Sequence, residues 1–218
     1  LYAADTVVAL LPGSRPAEIK HLGPRFFAAA ALVHQARPAI KFVVPTVPFL
    51  LPQVQALAHA SGLGDAVQVL SGQAHTALAA CDVTLIASGT ATLEAALFKR
   101  PMVVAYAMPA LSYRMMFAKR QLPWVALPNI LCAPSEWLRP PAHLSGHRLA
   151  DRKDAPFVVP ELLQDAATPS ALARAVTDWL DAPEKMAVTA ARFTALHHEL
   201  QRDTARLATD AIETLLAR

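Results

Sequence analysis

Two short stretches carry the residue types that an anion site needs. "ALLPGSR", Ala9 to Arg15, passes from an apolar run into a Pro12-Gly13 turn, then Ser14, Arg15 and Pro16. Turn formers and a proline suited to the first helical position account for part of it. A glycine that admits a ligand to the backbone, N–H groups at a helix start and a guanidinium beside them also suit a phosphate. "LIASGTATLEAAL", Leu85 to Leu97, repeats the arrangement: Ser88, Gly89 and Thr90 end a strand-like run and lead into a helix bearing Glu94. Taken alone, Ser88 or Thr90 reads as an N-cap and Glu94 as a solvated charge. If both turns open on one edge of a parallel sheet, they face one ligand from two sides. A diphosphate fits between them, with Arg15 compensating its charge and Glu94 accepting hydrogen bonds from a ribose diol.

A third stretch, "LPNILC", places Asn129, both donor and acceptor, after the last expected strand. It reads either as a simple turn or as a base or phosphate contact. "FVVPELLQDAATP" adds Glu161 and Gln164 on one expected helical face at i, i+3, which is otherwise ordinary surface polarity.

The elements that must hold these residues follow from periodicity. Thr6 to Leu11, Lys41 to Pro45, Ala66 to Leu70, Val83 to Ala87, Met102 to Tyr106 and Trp124 to Leu127 read as strands. Pro16 to Ala36, Pro48 to Ala60, Gln73 to Ala80, Thr90 to Phe98 and Ala110 to Gln121 read as the helices between them. Apolar runs with little alternation suit strands covered on both faces, and crossovers this long hold helices. A doubly wound parallel α/β sheet follows, with ligands expected outside the carboxyl ends of its strands. Ala133 to Pro156 is polar, Pro-rich and aperiodic, and reads as a long loop or disordered insertion. Pro160 to Gln164, Pro169 to Leu180 and Pro183 to Ala217 then read as helices.

Composition narrows the function classes. In 218 residues, 54% are hydrophobic and 17% charged, which is the balance of a folded globular chain. The 18 prolines interrupt every apolar run before it reaches the length of a membrane span. A net charge of +3, spread along the chain, lacks the basic stripe of a nucleic-acid binder. Cys81 and Cys132, far apart, suggest neither a disulfide framework nor a zinc site, and a reducing cytoplasm is the expected compartment. His197 and His198 are adjacent on an expected helix and cannot share a metal as an i, i+4 pair does. No metal and no cofactor are expected. Leu111 to Trp124 mixes Tyr113, Met115, Met116 and Phe117 with Arg114, Lys119 and Arg120, either a packed helix or one that meets lipid. The chain starts at Leu1 rather than Met, without a secretory pattern, and is expected to be a fragment.

"LLPGSRPAEI", "ASGTATLEAALFKRPMVVAY", "LPWVALPNIL" and "FVVPELLQDAATP", in that order, resemble the C-terminal half of the bacterial lipid-A-disaccharide synthase family. The resemblance implies a two-domain inverting glycosyltransferase of GT-B architecture, whose C-terminal domain holds the UDP-sugar donor. It implies the joining of UDP-2,3-diacylglucosamine to 2,3-diacylglucosamine 1-phosphate, with release of UDP. Residues 1–132 would form the Rossmann-like nucleotide-sugar domain, 133–156 an insertion, and 157–218 the helices that complete the domain. Gly13, Ser14, Arg15, Ser88, Gly89, Thr90, Glu94, Asn129, Glu161 and Gln164 would line the donor pocket, with Arg15 stabilising the leaving group. The stretch from Ala133 to Pro156 is longer than the family's usual connection, which leaves Glu161 and Gln164 open. The acceptor site and general base are expected in the N-terminal half, the implied partner of this one. The expected place is the cytoplasm, with peripheral contact to the inner membrane's cytoplasmic face and a homodimer both open. The rivals are another UDP-sugar enzyme of the same architecture, such as an epimerase, and a non-catalytic nucleotide-binding or dimerising module.

Overall fold

The computed structural model describes residues 5–119, 121–138 and 154–216. Arg120 and residues 139–153, which include most of the expected insertion, lie outside the described residues. Strands β1 (Val7–Leu11), β2 (Lys41–Thr46), β3 (Val67–Ser71), β4 (Val83–Ala87), β5 (Met102–Tyr106) and β6 (Glu161–Leu163) form one sheet in the order β3-β2-β1-β4-β5-β6. Every pairing is parallel, with Val8 opposite both Phe42 and Val83 at the centre. All five residues of β1 and of β4 are buried, which requires cover on both faces and explains their unbroken apolar sequences.

Helix α1 (Pro16–Ala36) starts at a proline whose missing N–H costs nothing there. It buries Ile19, Leu22, Phe26, Phe27, Ala30 and Val33, the i, i+3, i+4 stripe of a one-faced helix. A Cβ on Gly23 would come within 2.7 Å of Leu57 Cδ1, so a side chain there would force the Leu57 side chain of α2 (Leu51–Ala60) to shift. Between the strands also lie α3 (Ala74–Ala80), α4 (Ala91–Leu97) and α5 (Ala110–Lys119). The chain continues through α6 (Leu127–Leu131), α7 (Ser135–Leu138), α8 (Pro169–Leu180), α9 (Pro183–Leu200) and α10 (Thr204–Leu216). The α8 residue Trp179, 1% exposed, donates its indole N–H to the Met102 carbonyl at 3.0 Å and pins that helix to β5.

Three sequence expectations are corrected. Trp124 to Leu127 forms no strand; Leu127 already belongs to α6. The sixth strand is Glu161–Leu163, within the expected Pro160 to Gln164 helix. Pro160 has no N–H to give, and its carbonyl instead accepts the Val104 N–H at 2.9 Å, which starts a ladder along β5. Three residues are too few to display a strand's alternation. The expected Pro183 to Ala217 helix is two, because Asp203 caps a new one by accepting the Arg206 N–H at 3.0 Å.

Described residues at both ends of the expected insertion contact the Trp124 ring. Trp137 in α7 is buried, its ring centroid 5.5 Å from that of Trp124. Trp124 in turn donates its indole N–H to the Pro156 carbonyl at 2.8 Å.

Candidate functional site

The chain leaves β1 for β2 and β3 on one side, then returns to place β4, β5 and β6 on the other. The loops after β1 and β4 therefore diverge, and a crevice opens between them at the carboxyl edge. A cleft of about 440 Å³ lies there. Its walls come from Leu11, Gly13, Ser14, Arg15 and Glu18 after β1, and from Ala87 to Ala91 with Glu94 after β4. Pro45 to Val47 at the end of β2, with Gly72 and Ala74 after β3, close its far side. The structure thus brings Gly13, Ser14, Arg15, Ser88, Gly89, Thr90 and Glu94 around one space.

On the β1 side, Gly13 holds φ +123°, a value that L side chains rarely adopt, and a Cβ there would run into Glu18. Glu18 Oε2 accepts the backbone N–H of Ser14 at 2.8 Å and of Arg15 at 3.2 Å. Glu18 Oε1 accepts from Arg15 Nη1 at 3.0 Å. The Arg15 side chain is 79% exposed and that of Glu18 22%, so the guanidinium is the outer member of the pair.

On the β4 side, the Ser88 hydroxyl donates to the Val125 carbonyl at 2.9 Å. Thr90 is exposed, and Glu94 stands 3.3 Å from His75 Nε2. Helix α4 has seven residues, so its dipole adds less here than that of α1 with 21. Thr46, on the β2 wall, is 4% exposed, and its Oγ1 is buried without a hydrogen-bond partner among the described residues.

Asn129, Glu161 and Gln164 line none of this cleft. Asn129, 1% exposed, lies in α6 rather than after a strand. Its Oδ1 accepts the N–H groups of Val158 and Val159, and its Nδ2 donates to the Val159 carbonyl and to Glu161 Oε1. Glu161 also accepts the N–H groups of Val125 and Ala126, both at 2.9 Å. Gln164 is in no helical i, i+3 relation to Glu161. At φ 51° it exchanges two hydrogen bonds with the Met108 backbone, while its own carbonyl accepts from Arg25 Nη1 at 2.6 Å. These three side chains fasten the Val125–Ala126 loop and the β6 edge to the domain.

Glu18, Thr46 and His75 were not singled out by sequence. Glu18 stands three residues after the residue that precedes α1, the capping-box position. Thr46 ends a strand on the ligand edge, and the rule that flagged Ser88 would have flagged it too.

Burial pushes the Cys81 thiol up to about 12, against a weaker opposing pull from Arg100, so it stays protonated and unreactive. Burial also raises Cys132, which Arg192 partly offsets. Among the described residues no three His, Cys, Asp or Glu side chains are grouped to hold a metal ion. No helix among them is long and apolar enough to cross a membrane.

A six-stranded parallel sheet with a crevice at its switch point defines a doubly wound, Rossmann-like α/β fold. Two solved structures share the fold at low sequence identity. The C-terminal domain of a group 1 glycosyl transferase from Francisella tularensis matches 91% of this chain and 87% of its own length, at TM-score 0.54 and 11% identity. A UDP-N-acetylglucosamine 2-epimerase from Listeria monocytogenes, itself so named only by inference, matches 86% of this chain and 40% of its own at TM-score 0.53 and 14% identity.

Sequence gives the particular family. Residues 1–136 match the model of the lipid-A-disaccharide synthetase family, and the chain belongs to that family. The lipid-A-disaccharide synthase of Albidiferax ferrireducens is 56% identical over 97% of this chain and 50% of its own length. The chain thus spans about half the length of the curated relatives it matches.

Proposed function

We propose that this chain is the donor-binding half of an inverting glycosyltransferase that joins UDP-2,3-diacylglucosamine to 2,3-diacylglucosamine 1-phosphate. The observation that carries the proposal is the cleft between the β1 and β4 turns, lined by Gly13 to Arg15 and Ser88 to Thr90 in a chain of this family. The Ser14 and Arg15 N–H groups at the start of α1 and the Arg15 guanidinium bind the diphosphate. The Thr90 hydroxyl contacts it from the opposite wall, and Glu94 accepts from the ribose hydroxyls.

During transfer the acceptor hydroxyl attacks the anomeric carbon, the bond to UDP breaks, and negative charge collects on the departing diphosphate. Arg15 stabilises that charge without a divalent ion. A preorganised donor of this kind is worth roughly 3 to 4 kcal/mol. The acceptor site and the base that takes the hydroxyl proton come from the other half of the enzyme, which is the chain's partner. Closure of the two halves aligns the reactants and excludes water.

The enzyme works in the cytoplasm against the inner membrane, where its acylated substrates reside. Helix α5 exposes Leu111, Met115 and Met116 beside Arg114 and Lys119, a surface suited to lipid.

Titrating the chain with UDP, UMP and uridine tests the donor site. Binding of UDP well above UMP and uridine supports a diphosphate site; equal binding of all three removes it. Mixing with a separately expressed N-terminal half, using both acylated sugars, tests the division of labour. Disaccharide should form on mixing and not from this chain alone.

A further inference from the structure

We propose that the Glu18 carboxylate is an internal stand-in for the donor's phosphate, holding the anion-binding turn until a diphosphate displaces it. This rests on reading the cleft as a diphosphate site.

A capping-box glutamate ordinarily satisfies one N–H, that of the residue preceding the helix. Glu18 takes three donors: the N–H groups of Ser14 and Arg15 on one oxygen and the Arg15 guanidinium on the other. Consecutive N–H groups and a guanidinium are what a phosphate oxygen would use. Gly13 lets the carboxylate in, since a Cβ at that position would run into Glu18 Cβ and Oε2. Glu18 is also part of the cleft wall, so its carboxylate and a bound phosphate would compete for the same donors.

Two anions do not share that turn, because they need the same three donors and like charges at contact distance repel. Binding is therefore an exchange, in which the diphosphate gains the three donors and Glu18 swings toward solvent. Measured affinity is the difference between the two. A ligand without phosphate does not enter the exchange, so Glu18 lowers the affinity for nucleoside diphosphates and leaves that for nucleosides unchanged.

The experiment is isothermal titration of wild type, Glu18→Gln and Glu18→Ala with UDP, and with uridine as control, with thermal melts to verify folding. Glu18→Gln keeps an acceptor for the N–H groups but loses the charge. It should bind UDP about 10-fold tighter than wild type, the advantage of a charged over a neutral acceptor. Glu18→Ala should gain at least as much, with uridine unchanged throughout. If Glu18→Ala is poorly folded, Glu18→Gln decides. Equal or weaker UDP binding by Glu18→Gln, with wild type binding well, overturns the role of Glu18 and leaves the cleft reading intact. If none of the three binds UDP, the cleft reading fails and this inference with it.

Discussion

The β1 and β4 turns and the Asn129–Glu161–Gln164 cluster are built from similar residues, yet they differ in where their polar groups are spent. In the cluster, both polar atoms of Asn129 are engaged within the protein, with hydrogen bonds to Val158, Val159 and Glu161. At the turns, Arg15 reaches solvent, Thr90 is exposed and the Thr46 hydroxyl has no partner among the described residues. An amide fully paired inside the fold is a fastener; groups left open along a cleft can hold a ligand. The two regions touch through Ser88, whose hydroxyl donates to Val125, whose N–H in turn donates to Glu161. The cluster thus positions one wall of the cleft.

The largest effect should come from breaking the cluster. Asn129→Ala strands the buried Val159 N–H and the half-buried Val158 N–H, and takes one donor from Glu161 Oε1, which keeps the Ala126 N–H. At about 1 to 3 kcal/mol for each unmet group, with partial relaxation, the loss should be about 3 to 5 kcal/mol. Chemical denaturation measures it. UDP affinity of the folded protein should change only a few-fold, through Ser88. A stable Asn129→Ala protein that has lost UDP binding would instead make Asn129 a ligand contact.

Arg15→Ala should show the reverse signature. The side chain is largely exposed, so the melting temperature should barely move. UDP binding should weaken by about 1.5 to 3 kcal/mol, the worth of a charge-assisted hydrogen bond, and uridine binding should not. Equal losses for the two ligands would take Arg15 away from the phosphate.

This contrast also marks how far the sequence was legible. Strands β1, β4 and β5 and helices α1 and α8 follow directly from apolar runs, Pro at the first turn and one-sided stripes. The two glycine turns followed because a parallel sheet sends successive carboxyl ends to one edge. What sequence could not separate was Asn129 from Ser88. Both are small polar residues near a turn, and only the long-range approach of Val158 and Val159 to Asn129 decides its use. Trp137 was missed for a similar reason, since its partner Trp124 lies across a turn, outside any local periodicity.

A smaller effect is expected at Glu94, half-exposed and paired with His75. Glu94→Gln should weaken UDP a few-fold while leaving 2′,3′-dideoxy-UDP unaffected, because the lost acceptor serves the ribose hydroxyls. An equal loss for both nucleotides would mean that Glu94 acts only through the shape of the wall.

The smallest effect should come at Thr46, and with the opposite sign to Asn129. Its hydroxyl is buried on the cleft wall with no partner among the described residues, so the fold carries the cost of dehydrating it without the return of a hydrogen bond. Thr46→Val keeps the branched shape that β2 needs and removes the hydroxyl. Stability of the ligand-free protein should therefore rise by about 1 kcal/mol, or roughly 2 to 4 °C in melting temperature for a chain of this size. If that hydroxyl is held for the nucleotide-sugar, the same change should weaken binding of UDP-2,3-diacylglucosamine by a few-fold. A melting temperature that falls would show that the hydroxyl is satisfied in solution and that Thr46 belongs with the fasteners. A rise in stability without loss of binding would leave Thr46 outside the ligand's reach, and confine the unspent groups of the cleft to the β1 and β4 turns.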